Sequence, residues 1–289
     1  MKKQTIIYKD DPRFKLKADF YGVNIDRAPC VVYIHGGGLI WGSREDLSEA
    51  FIKLFMDNGF AIWSIDYRLA PESKLKDILE DVQDALGWLK TEGARQFSID
   101  PKRIAVLGGS AGGFLALNTG LFAEKPRAIV SFYGYGDIST KWAAEPSAFY
   151  RQNELIPREL ALKLLSNEII SEGPIETRYL YYLYARQHGV WVQEITGLDP
   201  AFKQAELLQL CPIHQVNPDY PPTLFLHGTM DTDVPYEQSV FMRAALIKKD
   251  VSARLITIPD GEHVFDKNFN DPIVQEALGQ VIAFLEKHL

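Results

Sequence analysis

The sequence contains only two cysteines, Cys30 and Cys211, far apart and with no partners at metal-ligand spacing. Their scarcity excludes a disulfide-stapled scaffold, and they read as two reduced, buried thiols of a cytosolic protein. Basic charge is also in deficit, with 31 Lys and Arg against 38 Asp and Glu and a net charge of −7. Nucleic acid is therefore not an expected partner, because phosphate backbones are held by clustered cations. There is no run of about 20 apolar residues from which a membrane-spanning helix could be built. Met1-Lys2-Lys3-Gln4-Thr5 has no apolar stretch behind it, so no secretory leader is expected and the location expected is cytoplasmic. Neither G-x-x-x-x-G-K-[ST] nor H-E-x-x-H occurs, and no metal and no cofactor are expected.

What is present is a chain of 289 residues, 46% hydrophobic, enough to bury a large core. Strand-like and helix-like segments alternate, which predicts an α/β fold with a mostly parallel sheet covered on both faces. Strands are expected at 5–9, 14–21, 30–34, 61–65, 103–107, 128–133, 223–226 and 253–258. Ser43, with Asp46 three residues on, predicts a helix start, and Leu75, Ile78, Leu79, Val82, Leu86 and Leu89 trace a 3.6-residue stripe. Asp271-Pro272 predicts a capped final helix. From about Ser139 to Tyr220 there are helical patterns and no convincing strand. That divides the chain into an α/β core, residues 1–138 and 221–289, and a helical insertion at 139–220 lying over one end of the sheet.

Gly108-Gly109-Ser110-Ala111-Gly112 is a G-x-S-x-G pattern with a predicted strand before it and a helix after it. Such a turn exposes a serine nucleophile and lets strand and helix approach closely, although small-residue turns also serve packing alone. His35-Gly36-Gly37-Gly38 at the end of an earlier strand supplies the accompanying loop, whose glycines can present amides to a developing oxyanion. Gly37, Gly38 and Ala111 are the expected donors, and His35 the expected holder of the loop. A serine needs a base, and of six histidines His263 is preferred, in a loop just after the final strand. His227 ends a strand and reads as structural. Asp231 is the expected acid, with Asp233 a near competitor more easily read as a turn residue or cap, and Asp137 a third.

In family order and spacing, His35-Gly36-Gly37-Gly38, Asp66-Tyr67-Arg68-Leu69-Ala70-Pro71-Glu72, the Ser110 turn and the Asp231 and His263 loops resemble the hormone-sensitive-lipase-like carboxylesterases of the α/β-hydrolase superfamily. The resemblance implies an eight-stranded α/β-hydrolase fold with a helical lid, the triad Ser110, Asp231 and His263, the oxyanion donors above, and a scaffold role for 66–72. The long N-terminal cap of many relatives is missing, so 139–220 is expected to supply the cover. Leu39, Trp41, Tyr133 and Tyr135 are the expected pocket residues, with the aromatic run 177–184 either core packing or pocket wall. The activity implied is hydrolysis of a small-molecule ester, of short- to medium-chain or aromatic acids. Acetyl or feruloyl carbohydrate esters, aryl formamides and a non-catalytic binding protein are the alternatives, and a homodimer is possible.

Overall fold

Buried side chains on both sides of the central strands decide the architecture of the computed structural model, which describes residues 3–289. The strands are β1 (Lys3–Asp11), β2 (Phe14–Tyr21), β3 (Ala28–Ile34), β4 (Ala61–Ile65), β5 (Ile99–Gly109), β6 (Ala128–Phe132), β7 (Thr223–Gly228) and β8 (Ala253–Ile258). In β3, Cys30, Val32 and Ile34 join one apolar layer and Val31 the other; in β5, Ile104 and Val106 oppose Ala105 and Leu107. A strand buried on both faces needs helices on both, as parallel sheets require. Both cysteines are free thiols within this interior.

The sheet order is β1-β2-β4-β3-β5-β6-β7-β8. β1 and β2 pair antiparallel, β2 runs antiparallel to β4, and every later pairing is parallel. The helices, in chain order, are α1 (Glu49–Asp57), α2 (Leu75–Trp88), α3 (Ala94–Phe97), α4 (Ala111–Thr119), α5 (Lys141–Ala144), α6 (Arg158–Leu162), α7 (Ile175–His188), α8 (Trp191–Thr196), α9 (Gln204–Leu208), α10 (Glu237–Ile247) and α11 (Pro272–His288). One face is covered by α1 through Phe51, Ile52 and Phe55 and by α11 through Val274, Leu278 and Val281. On the other lie α2, the fully buried α4, and α10 through Met242 and Leu246. Each such side chain removed from water contributes about 1.5–3 kcal/mol before chain entropy is set against it.

Two helix starts are instructive. Asp271 accepts from the Ile273 amide and Pro272 opens α11, as the sequence predicts. Ser43 and Asp46 do form a capping box, but it closes only a 3₁₀ turn, Arg44–Asp46. The correction has a physical cause. Arg44 is drawn inward, its amide and Nη1 each 2.7 Å from Asp66, so the chain extends at Leu47 and α1 restarts from a cap at Ser48.

Between β6 and β7, α5 to α9 fill the predicted insertion, and among the described residues 139–220 contribute no named strand, only a bridge from Gly173 to Gly42. Glu72 fastens this segment to the core through Arg178 of α7, at 2.7 Å. Arg178 donates as well to the carbonyls of Ile40 and Ala70. The other charges of 66–72 are equally structural, Arg68 lying 2.7 Å from Asp81. No helix of the described residues is long and apolar enough to cross a membrane.

Candidate active site

The loops that follow β3, β5, β7 and β8 carry the residues of interest, all at the carboxyl edge of the sheet where α/β folds bind ligands. Ser110 leaves β5 with φ 56° and ψ −120°, a conformation costly for a residue with a Cβ, on the order of 1–3 kcal/mol. Its amide donates to the Phe132 carbonyl and its own carbonyl accepts from Phe114 in α4, which fixes the turn from both sides. Close approach is essential at Gly112, where a Cβ would lie 2.1 Å from the Ile34 carbonyl oxygen.

Ser110 Oγ lies 3.0 Å from Nε2 of His263, and His263 Nδ1 lies 2.7 Å from Asp231 Oδ2. A carboxylate only accepts, so Nδ1 carries the proton and Nε2 is left to accept from the serine hydroxyl. The Asp231 side chain is wholly buried. Its Oδ1 accepts from the amides of Asp233 and Val234, and its Oδ2 is 3.2 Å from Nε2 of His227. Burial alone would push the Asp231 carboxyl up. Hydrogen bonds from His227, His263 and Val234 outweigh it and hold the group well below the usual carboxylate range. His263 shows the converse. Burial lowers its pKa, but the bond to Asp231 and the charges of Asp233, Asp231 and Asp266 raise it above the ordinary histidine value.

Gly37 sits at φ 92°, and a Cβ there would meet the Trp41 carbonyl oxygen at 2.0 Å, so only glycine fits the turn. Among the described residues, the amides of Gly37, Gly38 and Ala111 donate no hydrogen bond within the protein. Buried His35 donates from Nδ1 to the Gly36 carbonyl at 3.0 Å and stacks on Tyr67, whose hydroxyl reaches the same carbonyl. Burial pushes the His35 pKa down to about 4, so the ring is neutral. Trp191 of α8 donates to the Gly38 carbonyl at 3.0 Å, tying the insertion to the loop.

Ser110 and His263 open into a cavity of about 860 Å³ walled by Trp41, Phe51, Tyr133, Phe149, Tyr179 and Tyr182, among others. Trp41 and Tyr133 are thus where the sequence puts them. Leu39 and Tyr135 are not: both are buried in the core and absent from the cavity wall. Leu39 turns beneath the loop at φ 66°, and Tyr135 stacks on Phe114 at 4.9 Å. Trp142 also lies off this wall, donating to the Asp137 carbonyl and bordering a separate cavity of about 310 Å³. Asp137 itself bonds Ser139 and His214, away from His263. Among the described residues no His, Cys, Asp or Glu group is arranged to hold a metal ion.

Several contacts around the site escape sequence reasoning. His227 braces the acid while its Nδ1 accepts from Ser239 at 2.8 Å. Tyr133 donates to Asp266 at 2.6 Å and presents its ring to His263 at 4.8 Å. Asp266, three residues past His263, is half-buried, and its carboxyl is raised mainly by loss of solvation. Asp233 is more than a turn residue: it lines the cavity and pairs with Arg186 at 3.0 Å. The one available signal was Arg186 itself, a charge four residues after Tyr182 in an aromatic helix.

Comparison with known proteins gives this geometry a lineage. Residues 22–246 match the BD-FAE family, which is most of the chain and includes the Ser110 turn and Asp231. The chain belongs to the BD-FAE family. His263 lies beyond the stretch of the BD-FAE match, so its assignment rests on the geometry above. A protein of unknown function from Staphylococcus aureus subsp. aureus Mu50 superposes with a TM-score of 0.80 at 27% identity, over 100% of this chain and 99% of that one. An α/β-hydrolase superfamily protein from Enterococcus faecalis gives 0.74 at 24% identity, over 94% and 96%. A thermophilic esterase of Thermogutta terrifontis gives 0.71 at 21%, over 98% and 91%. At such identities the likeness concerns the fold, which is that of the α/β-hydrolases. The non-reducing polyketide synthase ausA of Emericella nidulans is 27% identical over 100% of this chain, which spans only 14% of that synthase.

Proposed function

We propose that this BD-FAE chain is a serine carboxylesterase that works through an acyl-enzyme on Ser110. One observation carries the reading: an unbroken relay of Ser110, His263 and Asp231, at 3.0 and 2.7 Å, opening into an aromatic cavity of about 860 Å³. As Ser110 Oγ attacks the ester carbonyl, its proton passes to Nε2 of His263. The Asp231 carboxylate, hydrogen-bonded at Nδ1, stabilises the imidazolium that forms. The amides of Gly37, Gly38 and Ala111, without hydrogen-bond acceptors among the described residues, are the groups to receive the oxyanion. The imidazolium then returns its proton to the leaving alkoxide, and the alcohol departs. Water, deprotonated by the same nitrogen, attacks the acyl carbonyl, and Ser110 regains its proton as the acid leaves.

The cavity is of ligand size and its walls are aromatic, which favours esters of medium-chain or aromatic acids over acetate. Residues 139–220 act in this reading as the cap that sets preference, since Tyr150, Tyr179 and Tyr182 line the cavity. The test begins with Ser110→Ala, which should fold, lose ester turnover and escape labelling by a fluorophosphonate. Undiminished labelling would move the nucleophile elsewhere. A panel from acetate to decanoate, with feruloyl and acetyl-sugar esters and an aryl formamide, then fixes the class. Tyr179→Ala should change the bulky-to-short ratio of kcat/KM on the order of tenfold, whereas Trp142→Ala should leave it unchanged. Equal profiles for both folded variants would remove selectivity from the cap, and no turnover of any member would favour a binding protein.

A further inference from the structure

A second carboxylate stands at the other nitrogen of the His263 ring. Asp231 accepts a hydrogen bond from Nδ1, while Asp233 Oδ2 lies 3.6 Å from Nε2, the nitrogen that faces Ser110. That distance is beyond a hydrogen bond, but an anion there still acts on positive charge forming in the ring. Asp233 is not free to move. Its Oδ1 accepts from the Tyr182 hydroxyl at 2.7 Å and from Arg186 Nη1 at 3.0 Å. Both donors belong to α7 of the insertion. Arg186 is 3% exposed and lies over the rings of Trp142, Tyr150, Tyr182 and Trp191, at 5.3–5.6 Å. A guanidinium cut off from water in this way requires a counter-charge, and Asp233 is its ion-pair partner.

We propose that Asp233 is a positioning residue for the base, acting on Nε2 of His263 as Asp231 acts on Nδ1, and that Arg186 and Tyr182 set how much of its charge the ring feels. The site so described is the one assigned above to ester hydrolysis, and the kinetic part of the proposal rests on that reading. The other charged and titratable groups facing His263 are Asp231, Asp266 and Tyr133. Those facing Asp233 are Arg186, Tyr182, Tyr150, Tyr179 and Tyr135. Among these Arg186 is the only cation, so the balance between it and Asp233 is what α7 controls. A cap helix seated on the core thereby tunes the base without touching it.

The test is the titration of His263, followed by the NMR signal of its ring in the 289-residue chain and assigned by its loss in His263→Gln. Asp233→Asn keeps an acceptor for Tyr182 and Arg186 but removes the anion, and should lower the midpoint by about one pH unit. Tyr182→Phe removes one donor, frees Asp233 charge toward the ring, and should raise the midpoint by a few tenths of a unit. The pH limb of kcat/KM should move in the same two directions. A merely structural role would cost stability or rate and leave both midpoints in place, and that result overturns the proposal. If Asp233→Asn does not fold, Tyr182→Phe decides by the same criterion. The NMR midpoints need no turnover, so midpoints that shift in a protein without esterase activity would sink the esterase reading alone.

Discussion

Replacing Asp231 by Asn changes one oxygen for one NH₂, and the surroundings dictate which way that amide must point. Oδ1 accepts from two backbone amides, those of Asp233 and Val234, both at 2.9 Å. These donors cannot change character, so the Asn carbonyl has to stay on them. The NH₂ then faces the two rings that Oδ2 served, His263 at 2.7 Å and His227 at 3.2 Å. Rings can move a proton between their nitrogens where backbone cannot. His227 retains the Val234 carbonyl as an acceptor for its Nε2 proton. His263 has no such alternative: it must accept at Nδ1, carry its proton on Nε2, and lose the ability to take one from Ser110. The opposite amide orientation would set NH₂ against two N–H groups, each buried donor left unpaired costing about 1–3 kcal/mol.

The wrong tautomer costs on the order of 10⁴ in kcat in the serine-protease precedent, equivalent to about 5.5 kcal/mol of barrier. Steady-state turnover of p-nitrophenyl acetate reads the loss, and a melt beside it separates lost chemistry from lost fold. Asp233→Asn is the comparison: at 3.6 Å from Nε2 its carboxylate makes no hydrogen bond to the ring, so it should shift the pH limb without a loss of kcat of that size. A folded Asp231→Asn enzyme retaining more than about a tenth of parental kcat would refute the orientation argument. The acid would then have to be sought at Asp233 or Asp266.

The raised pKa of His263 predicts the pH profile, since only the neutral ring accepts the serine proton: kcat/KM should climb with pH to a midpoint above the ordinary histidine value of about 6.5. A midpoint at or below that value would contradict the carboxylate surroundings. Gly112→Ala would force a Cβ to within 2.1 Å of the Ile34 carbonyl, and should destabilise by at least about 1–3 kcal/mol in denaturant titration, the ordinary cost of overpacking. Parental stability in that variant would mean that α4 and β3 can part without cost.

Eight strand segments could be read in advance because a strand buried on both faces is written as a short apolar run, as in Cys30–Ile34 and Ala61–Ile65. β1 reaches beyond the predicted 5–9 because an edge strand with one exposed face carries charged residues that hide it. The Ser43 capping box shows a different limit. Its local rule is obeyed, but helix length there is decided by the pull of buried Asp66 on Arg44, twenty-two residues away in sequence. Ser110, Asp231 and His263 were legible for the reason that each sits at a strand end with its turn residues beside it. Local sequence announces those turns, and distant backbone completes them, as the Phe132 carbonyl does for the Ser110 amide and Gly261 for Met230.

The pocket follows another logic, which Tyr133 and Tyr135 make plain. At strand spacing two residues apart they would share a face, and the sequence offers both as wall residues. β6 ends at Phe132, however, and Tyr133 adopts φ 36°, which breaks the alternation. Tyr133 is left in the layer of α1 and α11, its ring against His263, while Tyr135 crosses to the opposite layer and packs with Phe114, Trp142 and Trp191. A single left-handed residue thus assigns one tyrosine to the cavity and the other to the core. The ties between α7 and the β7 loop are still less local, spanning 47 residues from Arg186 to Asp233 and 51 from Tyr182. No periodicity encodes such a pairing, because it depends on where the insertion lands. What the sequence does carry is an arginine inside an aromatic helix, a group too costly to bury without an anion waiting for it.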